Sequence, residues 1–276
     1  MIAYNLEPEI YSISGLQAFL KIAQEQNISN YPIHIKLDTG MHRLGFEAHS
    51  ISELCSLLKN NNFVKVKSVF SHLAASDDLQ FDDFTQLQFQ RFDAMFEEIE
   101  KIVASKPIRH ILNTSGIFNY ADKQMEMVRL GIGLYGIGNS EQELQSLENV
   151  STLKTIISQI RAVLPEESIG YSRKFRVTEN IKVATIPVGY ADGIRRAWGN
   201  EKGFVTINNQ KATILGSICM DMMMVDVTNI SCKEGDEVIV FGLNPKVTEM
   251  ANSIGTIPYE ILTGISQRVK RIFYTN

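Results

Sequence analysis

HIKLDTGMHRLGF, residues 34–46, is the stretch that decides how this chain is read. A short strand-like run carries Lys36 and closes on Asp38 and Thr39. Gly40 then permits a tight turn, and Arg43 lies just beyond it. In a (β/α) barrel, charged groups at the end of a strand stand on the C-terminal rim, where ligands bind. In an arbitrary protein the same residues make a solvated loop with Arg43 in a surface ion pair.

Outward from this stretch, the first half alternates β-rich runs with amphipathic ones. Strands are predicted at residues 2–6, 33–37, 64–70, 108–112 and 127–130, and helices at 15–27, 50–59 and 81–105. On the last helix Phe84, Leu87, Phe92 and Phe96 are expected to share a face. This βαβα rhythm implies a parallel sheet covered by helices. A doubly wound sheet would place a Gly-rich turn after its first strand, but residues 7–12 read EPEIYS. The expected fold is therefore α/β, a partial (β/α)8 TIM-like barrel of about five βα units. From about Val150 the helical period fades. β-branched runs at 155–163, 181–187, 204–207 and 237–241 predict an antiparallel β domain. The expected domains are residues 1–148 and 149–276.

The chain has 276 residues with 44% hydrophobic content and a net charge of −4, which gives no basic footprint for nucleic acid. Its 3 cysteines include no CxxC pair, and the histidines show no metal-ligand spacing. No targeting or membrane segment is legible, so a cytoplasmic protein is expected.

Further motifs follow in order. SVFSHLAAS (68–76) ends a strand with His72, and a lone histidine is more often structural than functional. RHILNTSG (109–116) clusters His110, Asn113, Thr114 and Ser115 at a strand end, where they either cradle a phosphate or cap a helix. VRLGIGLYG (128–136) sets Arg129 in an apolar run, where a guanidinium that cannot lose its proton needs partners. SIGYSRKF (168–175) presents Tyr171 in a glycine-flanked turn. VGYADGIRR (188–196) and GSICMDMMMVDV (216–227) are too particular to be generic β sequence.

Together KLDTGMHRLGF, NTSG, VRLGIGLYG, GYSRKF, VGYADG, ICMD and PYEILTGISQRVKRIF resemble the alanine racemase family, from Asn5 to Phe273. The resemblance implies a barrel plus a β domain in a head-to-tail homodimer with shared sites. It implies pyridoxal 5′-phosphate held as a Schiff base to a lysine, and two opposed bases that interconvert L- and D-alanine for peptidoglycan supply. By motif match, Tyr171 resembles the base that serves the partner subunit's site, with His72 and Arg129 completing the catalytic group. Arg129 matches the arginine facing the pyridine nitrogen, and Thr114, Gly131, Ile132 and Tyr259 match the phosphate cradle, with Ser115, His110 and Asn113 beside it. Arg43 and Met220 match substrate-carboxylate contacts, Tyr190 the entry gate, and Lys36 a position that is often carbamylated to orient Arg43. An arginine opposite the ring nitrogen leaves it unprotonated and weakens the electron sink, favouring return of a proton to Cα. For a phenol that titrates near 10 to serve near 7.5, its neighbours must supply roughly 3 kcal/mol. His72 and Arg129 are the expected cations or donors, linked as a Tyr–His–Arg chain.

The family's cofactor lysine sits in a KANAYGHG-like phrase that no lysine here occupies. Lys21 lies on a helix and Lys36 in another motif. That lysine and about three βα units, about 90 residues, are expected upstream of Met1, so residues 1–276 alone are expected to be poorly soluble and inactive. A non-catalytic dimerisation or cofactor-binding remnant, and a racemase of serine or another small amino acid, remain as alternatives.

Overall fold

The computed structural model describes residues 1–59 and 61–274. The chain divides into two compact units, Met1–Leu134 with Gly138–Ser146, and Tyr135–Ile137 with Leu147–Asn276.

The first unit is built from β1 (Glu9–Ile10), α1 (Ile13–Glu25), β2 (Tyr31–Lys36), α2 (Ile51–Lys59), β3 (Val64–Phe70), α3 (Asp82–Glu100), β4 (Ile108–His110), α4 (Thr114–Asn119) and α5 (Glu141–Gln145). The strands pair in parallel in sequence order, β1-β2-β3-β4, as successive βα units of a barrel do. Ser12 starts α1 by accepting the Gly15 N–H at 3.2 Å. Strand residues alternate between faces. Ile33 and Ile35 pack with Leu16, Leu54, Val69, Phe92, Phe96 and Ile99 in the core, while His34 and Lys36 point the other way with the polar residues of the site.

Two expected strands are absent. Residues 2–6 contain the 3-10 turn Ile2–Tyr4, ended by Asn5 in a left-handed conformation at φ 53°. No side chain of that turn is buried, so nothing offsets the entropy of extending it into a strand. Residues 127–130 make one strand-like bond, Arg129 N–H to the Leu112 carbonyl at 3.0 Å, with Met127 and Leu130 exposed. Three expected strands remain, and β1 at Glu9–Ile10, which the sequence reading did not expect, brings the sheet to four. On α3 the buried face is Phe89, Phe92, Met95, Phe96 and Ile99, while Leu87 is exposed.

The second unit is a seven-stranded antiparallel sheet with a two-stranded ribbon. Its strands are β5 (Leu153–Ile156), β6 (Gln159–Val163), β7 (Ser168–Ile169), β8 (Phe175–Arg176), β9 (Ile181–Ile186), β10 (Phe204–Ile207), β11 (Gln210–Leu215), β12 (Met223–Asp226) and β13 (Glu237–Phe241), followed by α6 (Val247–Ser253) and α7 (Pro258–Gly264). The large sheet runs β5-β13-β10-β11-β12-β9-β6, with the ribbon formed by β7 and β8. The run expected at 155–163 is two strands that occupy opposite edges of that sheet. Val205, Ile207, Ile214, Val225, Val238 and Val240 are fully buried. Among the described residues, no helix is long and apolar enough to cross a membrane.

Candidate active site

Arg129 organises the polar side of the first unit. One guanidinium nitrogen, Nη1, donates to His110 Nδ1 and to the His110 carbonyl at 3.1 Å. The other, Nη2, donates to the Ser71 carbonyl and to the Ile111 carbonyl at 3.3 Å, and lies 3.5 Å from His72 Nδ1. The group sits over the Phe70 ring, 5.2 Å from its centroid. Its Nε–H has no acceptor among the described residues. Burial lowers the guanidinium to about 10, which leaves it charged at neutral pH.

Because the guanidinium can only donate, His110 Nδ1 must accept, and the ring proton resides on Nε2. Burial first, then the Arg129 charge, lowers His110 to about 3. Burial, then Arg129, Arg43 and Lys36, lowers His72 to about 4. Of the two roles expected for His72, cation or donor, its surroundings leave that of a neutral donor, and Arg129 alone carries charge in that pair. Once unfolded, both imidazoles protonate near 6.5, so between that value and about 4 the unfolded chain binds more protons. Stability should be full above pH 6.5 and decline as the pH falls toward 4. Urea unfolding at about pH 7.5 and about pH 5 checks this; equal unfolding free energies would contradict it.

Lys36 is buried and ion-paired with Glu9 at 3.1 Å, over the face of Phe70. Arg43 is exposed and close enough to depress the His72 titration. Thr114 Oγ1 accepts the Gly131 N–H at 3.0 Å and the Gly133 N–H at 3.2 Å, leaving its own proton for an external oxyanion. Ile132 lies between those two glycines and is buried. A Cβ at Gly133 would approach Thr114 Cγ2 to 2.9 Å, so the loop requires glycine for its close approach. Asn113 takes the helix-cap role, its Oδ1 accepting from Gly116 N–H at 2.9 Å and from the Ser76 hydroxyl at 2.8 Å. Ser115 accepts from Asn139 Nδ2 at 2.9 Å. These two residues, with His110, brace the cluster from behind.

In the second unit Tyr171 stands on a turn whose flanking Gly170, Ser172 and Arg173 all have positive φ, and Tyr171 is 68% exposed. It lines a cleft of about 560 Å³ with Arg161, Cys219, Met220 and Asp221. Tyr190 adjoins that cleft: its N–H bonds the Cys219 carbonyl at 3.0 Å, and the Ala191 N–H bonds that of Met220 at 2.9 Å. Tyr259 is exposed in the first turn of α7 and does not line the cleft. Sequence reasoning missed Arg268, which donates to Asp192 Oδ1 at 2.7 Å and Asp221 Oδ1 at 2.6 Å and so ties VGYADG to ICMD. The signal available was one acid in each motif and an unassigned arginine in the tail.

The two units match, in order, the families described as "Alanine racemase, N-terminal domain" over residues 1–139 and "Alanine racemase, C-terminal domain" over residues 150–273. The class is thus that of two-domain amino-acid isomerases. Alanine racemase 1 of Clostridium acetobutylicum is 36% identical over 100% of this chain and 73% of its own length. The alanine racemase of Geobacter sp. is 36% identical over 99% and 75%. Among solved structures, alanine racemase from Bartonella henselae with covalently bound pyridoxal phosphate superposes with a TM-score of 0.88 at 29% identity, covering 99% of this chain and 74% of that one. Alanine racemase from Bacillus anthracis with bound L-Ala-P gives 0.87 at 26% identity, covering 97% and 70%. The chain belongs to the alanine racemase family, whose members interconvert the enantiomers of alanine.

Proposed function

We propose that this chain carries the ring, phosphate and substrate contacts of an alanine racemase that uses pyridoxal 5′-phosphate, acting in the cytoplasm as a head-to-tail homodimer. The observation that carries the reading is Arg129: both Nη groups are tied to the protein while Nε–H is open. Such a group can donate to a pyridine nitrogen yet cannot protonate it. Thr114, Gly131 and Ile132 hold the phosphate. Arg43 and Met220 hold the alanine carboxylate, and Tyr190 restricts entry. Bound pyridoxal phosphate supplies the electron sink for the charge left at Cα when the proton departs. Tyr171 moves that proton on one face of Cα in the site of the partner subunit.

None of the chain's lysines stands in the family's KANAYGHG-like phrase, so the test uses a ligand that needs no protein tether. The reduced conjugate N-(5′-phosphopyridoxyl)-L-alanine should bind the chain saturably in a fluorescence titration. Arg129→Leu should weaken that binding by about 10- to 100-fold, the value of a charge-assisted hydrogen bond of about 1.5–3 kcal/mol. Absence of saturable binding, or equal affinity in the variant, defeats the proposal.

A further inference from the structure

His34, Ser68 and His110 come from three different strands, and a register irregularity between Ile33 and His34 aligns them. Before it, Ile33 pairs with Val66; after it, His34 pairs with Ser68 and skips Lys67. A bulge re-aims side chains in this way. Without it His34 would face Lys67. With it, His110 Nε2 lies 3.1 Å from Ser68 Oγ, Ser68 Oγ lies 2.6 Å from His34 Nδ1, and His34 Nε2 lies 2.8 Å from Glu7 Oε2. Glu7 in turn accepts from Lys67 Nζ at 2.7 and 2.8 Å. Ser68 is 1% exposed and His110 5%.

The direction of every bond follows from one end. Arg129 donates to His110 Nδ1, so His110 donates from Nε2. Ser68 therefore accepts from His110 and passes its own proton toward His34 Nδ1, as a hydroxyl can do both at once. His34 then carries its proton on Nε2 and donates to the Glu7 carboxylate. We propose that Glu7, His34 and Ser68 are positioning residues: a one-way relay across β2, β3 and β4 that fixes the His110 lone pair on which Arg129 is seated. The proposal rests on the reading of Arg129 as the ring-nitrogen donor only for its consequence in ligand binding; the relay itself is a property of the protein.

Nitrogen-15 NMR of the histidine side chains tests the relay without ligand. Both His34 and His110 should show the Nε2–H tautomer near pH 7.5. In Glu7→Ala, at the solvent-facing end, Ser68 still donates to His34 Nδ1, so His34 should keep its Nε2–H tautomer and donate to solvent, with the fold unchanged by circular dichroism. Ser68→Ala should let the Arg129 guanidinium rotate several-fold faster, and Ser68→Thr, which restores the hydroxyl, should reverse that. Binding of the phosphopyridoxyl-alanine conjugate should weaken by roughly tenfold in Ser68→Ala. An Nδ1–H tautomer at His34 in the parent protein, or unchanged Arg129 dynamics in Ser68→Ala, overturns the relay. Faster Arg129 motion with unaltered conjugate affinity supports the relay and refutes instead the role given to Arg129.

Discussion

In an enzyme that supplies the cofactor lysine together with residues 1–276, Tyr171→Phe is expected to lower alanine racemisation by about 10²- to 10⁴-fold, the range of a single acid–base group, and to stop proton exchange from one enantiomer. The substitution removes one oxygen and keeps the ring. Tyr171 is largely exposed on a turn held by its backbone and by Arg173 Nε to Ser168 Oγ at 3.0 Å, so neither the turn nor the cleft depends on the phenol. Deuterium wash-in from solvent, followed separately for L- and D-alanine in an actively racemising preparation, separates the faces. Exchange unchanged for both substrates removes Tyr171 from the chemistry.

What was legible in the sequence divides along physical lines. Strands at Val64–Phe70, Phe204–Ile207 and Glu237–Phe241 were legible because β-branched residues in short runs are bounded by turn formers. Residues 2–6 carry the same local preference, but a strand is decided by the neighbour it pairs with, and propensity is silent on that. Ile157 shows the same limit. It is buried between two strands, so a β-rich run without Gly or Pro hid the point where the chain leaves one sheet edge for the other. The helices α6 and α7 are seven residues each, too short for their period to emerge. At the site, the NTSG motif offered two readings, and Asn113 takes the capping one while Thr114 keeps a free proton. The relay behind Arg129 was not legible. Its members lie far apart in the chain, and they meet only through the bulge at His34. Local pattern shows which residues can do chemistry, whereas register decides which of them touch.

The glycine of VGYADG shows how close packing shapes the second unit, and Gly189→Ala is expected to destabilise it by about 3 kcal/mol, the upper part of the overpacking range. Gly189 has extended backbone at φ −149°, so the requirement is not conformational. A Cβ there would lie 2.4 Å from the Cys219 carbonyl oxygen and 2.5 Å from that of Met220. These carbonyls cannot turn away, because they accept from Tyr190 and Ala191. The loops bearing Tyr190 and Met220 must then separate, and alanine should bind more weakly along with the loss of stability. Gly235→Ala makes the control. Gly235 has φ +89° and nothing within 4 Å of the methyl that alanine would add, so it should cost only the left-handed penalty of about 1–2 kcal/mol. Urea midpoints of the two variants, at equal m-values, give the comparison. If Gly189→Ala proves as mild as Gly235→Ala, the carbonyls of Cys219 and Met220 can yield, and the loops bearing Tyr190 and Met220 are not held as tightly as their hydrogen bonds require.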